Sequence, residues 1–428
     1  MNRLSIATIV LVFLLSSCAV KKSIQTIALQ PTLSISNSYA ATELINDSIL
    51  NTAHIGIVLF DADHNNYLYQ YQSNKYYIPA SNTKIMTCYA AMKYLGDSLE
   101  GLKYEENKTG DITVRGTGDP TFLHPAFKQE RVYDFLRKQN SIAYYVSNTL
   151  CQFKPFGKGW TNDDYYEDYM NERSEFPVYG NNRKVFSNLD TAVYFKLSAP
   201  SIKDKYCGGT GLQSTVQYIT DTSAKEVPYY LKLLMDTLGK KDFKTLLYSS
   251  DKLINIIYSQ PTDSVLQYMM HNSDNIFAEQ LLLMVSNKQL GVMNDIRMFD
   301  TLLATDFKEF PQKPRWADAC GLSRYNLFTP EDIVHVLGKI KKEFKDERIN
   351  AIFPSGNQGT LKGYYTDYAE DIHAKTGSMS GVFCISGYLT TKQQKHITFS
   401  IMVNNHQSKG ENLRRKIETY LTNIIEQN

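Results

Sequence analysis

A serine three residues ahead of a lysine, set just after a proline, constrains this chain more than any other feature in it. The stretch is Pro79-Ala80-Ser81-Asn82-Thr83-Lys84. The residues that follow, Ile85 to Leu95, are apolar at helical spacing and predict a buried helix. Proline at its head is a common helix start. Residues i and i+3 of a helix share a face, roughly 5–6 Å apart at Cβ. Lys84 can therefore reach the Ser81 hydroxyl if both face a cleft. A serine hydroxyl is a weak nucleophile until a base takes its proton, and a lysine is a base only when neutral. Burial and a second nearby cation both lower a lysine pKa. The positive end of the helix dipole favours negative charge developing at Ser81.

Ser-x-x-Lys alone is a weak signal, short enough to occur by chance. Two later stretches give it weight: Ser273-Asp274-Asn275, a Ser-x-Asn, and Lys375-Thr376-Gly377. The Ser-x-Asn falls between the helical patterns Asp263–His271 and Ile276–Met284. Polar side chains can project from such a joint without burying backbone groups. Taken by itself it reads equally well as a helix cap. The Lys-Thr-Gly leads into Val382–Leu389, which reads as a strand.

The chain has 428 residues, 43% of them apolar, enough for a sizeable core and more than one domain. It begins Met1-Asn2-Arg3, followed by the apolar run Ile6–Leu15, too short to span a bilayer and fitting a signal peptide over 1–17. Leu15-Ser16-Ser17-Cys18 resembles a bacterial lipobox, which implies cleavage before Cys18 and lipid on that cysteine. The alternative is an ordinary cleaved signal with an incidental cysteine. Residues 18–42 then read as a polar tether. Ala19 after the cysteine favours the outer membrane, and with it a lipid-anchored protein of the periplasm. Basic and acidic residues number 46 and 44, a near balance that gives no sign of a nucleic-acid partner. The other cysteines are Cys88, Cys151, Cys207, Cys320 and Cys384, and none has metal-ligand spacing. Cys88 and Cys384 lie in apolar runs and read as core; Cys151 with Cys207 is a conceivable disulfide.

Three folded segments are expected. The first, 43–100, holds the end of a helix at Ser48–Ala53, a hairpin of His54–Phe60 with Tyr67–Tyr71, and the Ser81 helix. A mostly β insert follows over 101–225, with strands at Asp111–Arg115, Tyr144–Ser147, Phe176–Tyr179, Ala192–Leu197 and Ser214–Ile219. Its polar, aromatic loop is Lys158–Tyr166. The last segment, 226–428, carries helices at Val227–Leu238, Glu331–Phe344 and Leu413–Ile425 and strands at Val382–Leu389 and His396–Asn404. A terminal hairpin and helix packed on the first hairpin would give one antiparallel sheet built from both chain ends.

The three motifs, in this order, resemble those of penicillin-binding proteins and class A β-lactamases. Further stretches narrow the resemblance: Gly116–Thr121, Gly159-Trp160 through Asp164, Ala278-Glu279, Gly321-Leu322-Ser323-Arg324-Tyr325-Asn326 with Thr329-Pro330, Gly359-Thr360-Leu361, and Ser378 with Gly381-Val382. From about Ile55 to the C-terminus the chain resembles the class C low-molecular-mass penicillin-binding proteins, the D-alanyl-D-alanine carboxypeptidase/endopeptidase family. The separation of Ser81 from Ser273 leaves room for the inserted domain. Ala319-Cys320 and Ser380 depart from the usual pattern beside two of these stretches.

The resemblance implies an α/β (α+β) fold: a penicillin-recognising serine transpeptidase/β-lactamase-like domain, an antiparallel sheet flanked by helices and interrupted by the insert. It implies that Ser81 attacks the carbonyl between two D-amino acids and that Lys84 takes its proton. Ser273 would relay a proton to the leaving amine, with Lys375 nearby keeping Lys84 neutral. Backbone N–H groups of Ser81 and Ser378 would hold the oxyanion. Asn275 would bind the substrate amide; Thr376, Gly377 and Lys375 would bind the terminal carboxylate; Arg324 and Asp164 would read a zwitterionic side chain of the stem peptide. The substrates would be peptidoglycan stem peptides, with β-lactams as covalent inhibitors. No metal or other cofactor is required. Two alternatives share parts of the pattern: a serine β-lactamase, and a non-catalytic cell-wall-binding lipoprotein.

Overall fold

Alternating apolar residues near both ends of the chain meet in one sheet. The computed structural model describes residues 40–428 except 129, 146–149, 182–183, 187–191, 195–237, 239–241 and 247–252. The expected signal peptide, Cys18, the tether up to residue 39, Cys207, the strand at Ser214–Ile219 and the helix at Val227–Leu238 (Leu238 apart) lie outside the described residues.

A single helical turn, Thr42–Ile45, precedes β1 (His54–Asp61) and β2 (Asn66–Tyr71). Asp61 closes their turn by accepting the backbone N–H groups of Asp63 and His64. A 3-10 turn, Ala80–Thr83, then leads into α1 (Lys84–Tyr94). The middle of the chain supplies β3 (Ser98–Glu106), β4 (Ile112–Gly116), α2 (Arg131–Lys138), β5 (Ser141–Tyr145), β6 (Lys184–Phe186), β7 (Ala192–Tyr194), β8 (Asp242–Leu246) and β9 (Asn255–Pro261). Then follow α3 (Thr262–Asn272), α4 (Asn275–Leu290), α5 (Asp295–Ala304), α6 (Pro330–Glu343), α7 (Asp346–Ile352), β10 (Ile372–Met379), β11 (Val382–Thr390), β12 (His396–Asn404) and α8 (Gly410–Gln427). Thr329 and Asp332 form a reciprocal capping box at the head of α6.

The first sheet has the order β10-β11-β12-β1-β2 and is antiparallel throughout, with β1 and β12 paired from His54↔Asn404 to Asp61↔Ile397. Successive residues of a strand face opposite sides. Val382, Cys384 and Met402 therefore meet α1, α3, α4 and α6 on one side. Phe383, Ile385, Phe399 and Ile401 meet Leu413, Ile417 and Leu421 of α8 on the other. This is the expected helix-flanked antiparallel sheet. A second sheet, β8-β5-β4-β3-β9, covers its own core with α2. It takes in β8 and β9, so it extends past residue 225 to Pro261.

Local expectations are corrected in two places. Ser48–Ala53 forms turns, and helix is confined to Thr42–Ile45. Phe176–Tyr179 is not a strand, because Pro177 lacks a backbone donor and Tyr179 has φ 56°. Its buried Phe176 and Val178 still pack into the core of the second sheet.

Candidate active site

The Ser81 turn is wedged between two glycines. Ala80, just before it, holds the left-handed φ of 46°. On one side, a Cβ at Gly321 would fall 1.8 Å from the Ala80 carbonyl oxygen, and Gly321 itself has φ 90°. On the other, a Cβ at Gly377 would stand 2.7 Å from the Ser81 nitrogen. Only a residue with no side chain lets β10 and the 321 loop come this close. The tight turn puts Ser81 and Lys84 on the same side, where Lys84 Nζ lies 3.0 Å from Ser81 Oγ. The same nitrogen donates to Asn275 Oδ1 at 2.6 Å and to the Cys320 carbonyl at 2.7 Å. Lys84 is fully buried, and burial lowers its pKa below the ordinary lysine value against the opposing pull of Asp318, Asp274 and Glu279.

The Ser-x-Asn sits in the expected joint. Ser273 ends α3 in the left-handed region, φ 55°. Asp274, not its neighbours, caps α4 by accepting the Phe277 N–H. Ser273 and Asn275 are thereby left for the cleft. Asn275 donates its amide to the Tyr169 carbonyl at 2.9 Å.

The Lys-Thr-Gly lies on the edge strand β10. Lys375 is buried, and its Nζ donates to Ser273 Oγ at 2.9 Å and to the Thr376 carbonyl at 2.6 Å. Its pKa falls well below the usual value, first through burial and then through the charge of Lys84. The Thr376 hydroxyl donates to Thr360 Oγ1 at 2.7 Å, and Arg414 donates to the Thr360 carbonyl behind it. Ser378 follows on the same strand, exposed and paired with Phe383. Ser81, Lys84 and Asn275 thus form one hydrogen-bonded group and Ser273 with Lys375 a second, and the charge of Lys84 is felt at Lys375.

Asp164 and Arg324 stand at the rim and do not bond each other. Arg324 is exposed and donates to the Ser380 carbonyl at 2.8 Å. Asp164 accepts from Thr161 Oγ1 at 2.7 Å and from the Tyr169 phenol at 3.0 Å. Tyr169 therefore ties this loop to Asn275. The neighbouring Trp160 indole donates to Asp318 at 2.9 Å.

Behind the cluster lies a charged layer that sequence reasoning missed. Glu279 accepts the backbone N–H groups of Ala319 and Cys320 at 2.8 and 2.9 Å and pairs with Arg173 at 3.0 Å. Burial pushes the Glu279 pKa up to about 7, with Arg173 opposing. Arg173 also pairs with Asp295 at 2.7 Å. Asp318 accepts from Gly321 N at 2.8 Å, Ser323 N at 2.6 Å and Asn326 Nδ2 at 2.7 Å. Together these contacts hold the Cys320 carbonyl against Lys84. Among the described residues, Glu279, Asp318 and Cys320 approach within 4.8 Å of one another, close enough to share a cation. Their carboxylates are already filled by N–H donors and faced by a guanidinium, so the arrangement does not fit a metal site.

Cys151 donates its thiol to Glu175 at 3.0 Å; its candidate disulfide partner lies outside the described residues.

The model of the D-Ala-D-Ala carboxypeptidase 3 (S13) family matches residues 39–185 and 236–424. The chain belongs to that family. Membership makes it a serine-type hydrolase of the D-Ala-D-Ala carboxypeptidase class. The S13 chain is 23% identical over 456 aligned positions to D-alanyl-D-alanine carboxypeptidase DacB of Haemophilus influenzae, covering 88% of this chain and 91% of the relative. Its fold is like the crystal structure of penicillin binding protein 4 from the same organism, with TM-score 0.67 at 18% identity, covering 90% of this chain and 99% of the other. It also resembles a penicillin G-acylated predatory endopeptidase of Bdellovibrio bacteriovorus, with TM-score 0.51 at 15% identity and coverage of 88% and 93%.

Proposed function

We propose that this enzyme hydrolyses D-alanyl-D-alanine-type bonds of peptidoglycan stem peptides through an acyl-enzyme on Ser81. One observation carries the reading: the partner set of Lys84. A neutral amine has two N–H bonds and one lone pair. The Asn275 and Cys320 oxygens can only accept, so they take the two N–H bonds. The lone pair is left for the Ser81 hydroxyl at 3.0 Å. A buried lysine of lowered pKa is then a general base aimed at a nucleophile.

The Ser81 proton passes to Lys84 as Oγ bonds to the substrate carbonyl carbon. Backbone N–H groups of Ser81 and Ser378 are assigned to the oxyanion; one such donor is typically worth roughly 3–4 kcal/mol. The C–N bond breaks, and Ser273 passes the proton on to the leaving amine. Lys375 orients Ser273 and, with Thr376, attracts the terminal carboxylate. Water then releases the acyl group and returns Ser81 to its hydroxyl form. β-Lactams would acylate the same oxygen, in keeping with the penicillin G-acylated fold relative. Arg324 and Asp164 are assigned to the side chain of the stem peptide.

We also propose export to the periplasm and lipid attachment at Cys18, supported by the lipobox-like Leu15–Cys18. Labelled palmitate incorporated into the wild type and lost in Cys18→Ala would bear this out.

The test of the chemistry is Ser81→Ala. It should fold, fail to label with penicillin and release no D-alanine from stem peptides. Covalent labelling retained in that variant would reject Ser81 as the nucleophile. An acyl-enzyme that turns over penicillin within seconds would favour a β-lactamase instead.

A further inference from the structure

Next to the Ser273 joint lies a cavity of about 720 Å³ that the mechanism above does not use. It is bounded by α3, by the loop at Ala126–Lys128 and by Gln358. Its lining is rich in side-chain amides, among them Gln267, Asn272 and Gln358, with Phe127 and Tyr268 as aromatic walls. It includes one cation, Lys128, and no carboxylate. His271 adds a buried Nε2 without a hydrogen-bond partner in the protein. Burial, then the nearby Lys375, lowers the His271 pKa, so this nitrogen belongs to a neutral ring. Amides, a neutral imidazole and a single ammonium suit peptide groups with a carboxylate among them.

Two joins fix where the cavity lies. Asn272 directly precedes Ser273. Gln358 lies two residues before Thr360, whose hydroxyl meets that of Thr376. A Cβ on Gly359 would fall 2.7 Å from the His271 carbonyl oxygen, so this turn rests on the end of α3. On the function proposed above, Thr376 holds the carboxylate of the leaving residue. The cavity is then on the leaving side, past that carboxylate, and none of its lining residues belongs to the Asp164–Arg324 rim. A departing free amino acid ends at Thr376 and uses none of this space. A departing second peptide does.

We propose that the cavity receives the leaving-side peptide when the enzyme cuts a cross-link between two stem peptides. This assignment rests on the proposed function. It makes the cavity, rather than the Ser81 cluster, the part that separates cross-link cleavage from removal of a terminal residue.

The experiment compares two probes on the purified full chain: an uncross-linked stem peptide ending in D-Ala-D-Ala, and a cross-linked stem-peptide dimer. Ser264→Trp fills the cavity from an exposed helix position, and Gln267→Ala removes one amide. Each variant should lower kcat/KM on the dimer by roughly five- to ten-fold, the loss of one or two substrate hydrogen bonds. Turnover of the uncross-linked peptide and the rate of penicillin labelling should stay at the wild-type level. Equal losses on both peptides, no loss on the dimer, or a wild type that does not cut the dimer would overturn the assignment. So would a chito-oligosaccharide that blocks dimer cleavage in the wild type but not in Ser264→Trp, since that would give the space to glycan. A wild type with no labelling and no activity on either peptide would reject the Ser81 chemistry as well. A normal uncross-linked rate with an unchanged ratio rejects only the cavity.

Discussion

Gly377 has no room for a side chain because the Ser81 backbone occupies it. The nearest atoms to a Cβ there are Ser81 N at 2.7 Å, Pro79 O at 2.8 Å and Asn82 N at 3.0 Å, all backbone. Gly377→Ala must therefore push β10 away from the turn. A displacement near 1 Å at a reacting centre costs roughly 10²-fold. Penicillin acylation by Gly377→Ala, followed by stopped-flow or gel labelling, should fall by about that factor. Near-normal acylation would mean that the strand and the turn move together.

Lys84 supplies a pH test. Burial holds its pKa below the usual 10.5, and only the neutral amine accepts a proton. The acylation rate should rise with pH to a plateau whose midpoint lies below 10.5. Lys84→Ala should remove the rise and nearly all of the rate. A midpoint at or above 10.5 would rule out the buried lysine as the base.

Lys375 supplies a stability test. Its folded pKa is depressed well below 10.5, so at lower pH folding must strip or bury a proton that the unfolded chain keeps. That cost is full below the folded pKa and fades as pH rises towards 10.5. Lys375→Met avoids it. The Tm advantage of the variant over wild type should shrink as pH rises from the folded pKa towards 10.5. An advantage that grows with pH would show that the folded enzyme raises the Lys375 pKa instead of lowering it.

Glu279 and Arg173 are both buried, so removing Glu279 leaves Arg173 with Asp295 as its only paired carboxylate among the described residues and strands the Ala319 and Cys320 N–H groups. Glu279→Ala should cost about 3–5 kcal/mol in denaturant unfolding. Glu279→Gln keeps an acceptor for the Ala319 and Cys320 N–H groups and should keep acylation within about five-fold of wild type, on the scale of one neutral hydrogen bond. If both variants acylate normally, the Cys320 carbonyl does not depend on this carboxylate.

Arg324→Ala and Asp164→Ala should each lower kcat/KM on native stem peptides roughly ten-fold, the scale of one charge-assisted hydrogen bond, and spare a plain D-Ala-D-Ala dipeptide. Equal losses on the two substrates would remove these residues from side-chain recognition.

Much of the site was legible because its chemistry depends on side-chain types at short spacing. Ser81 with Lys84, Ser273 with Asn275, and the Lys375 motif each announce themselves, and the strands at both chain ends follow from alternation. The support for Lys84 was not legible. One of its partners is the Cys320 backbone carbonyl, which any residue could offer. Glu279 stood in a recognisable stretch but carried no sign of being paired with Arg173 across the fold. Thr360 and Arg414 owe their place beside Thr376 to tertiary packing alone. Phe176–Tyr179 misled because buried apolar residues were read as a strand when a proline and a left-handed backbone bend the segment.

The register that joins β1 to β12 also sets a timetable for synthesis. A ribosome makes the serine turn early, but the strand that completes its sheet and the glycine that wedges it come hundreds of residues later. Such distant pairing is slow to form. On the proposed chemistry, a nascent chain therefore carries Ser81 in an unfinished frame, and its reactivity would arrive only once the last strands are zipped into place.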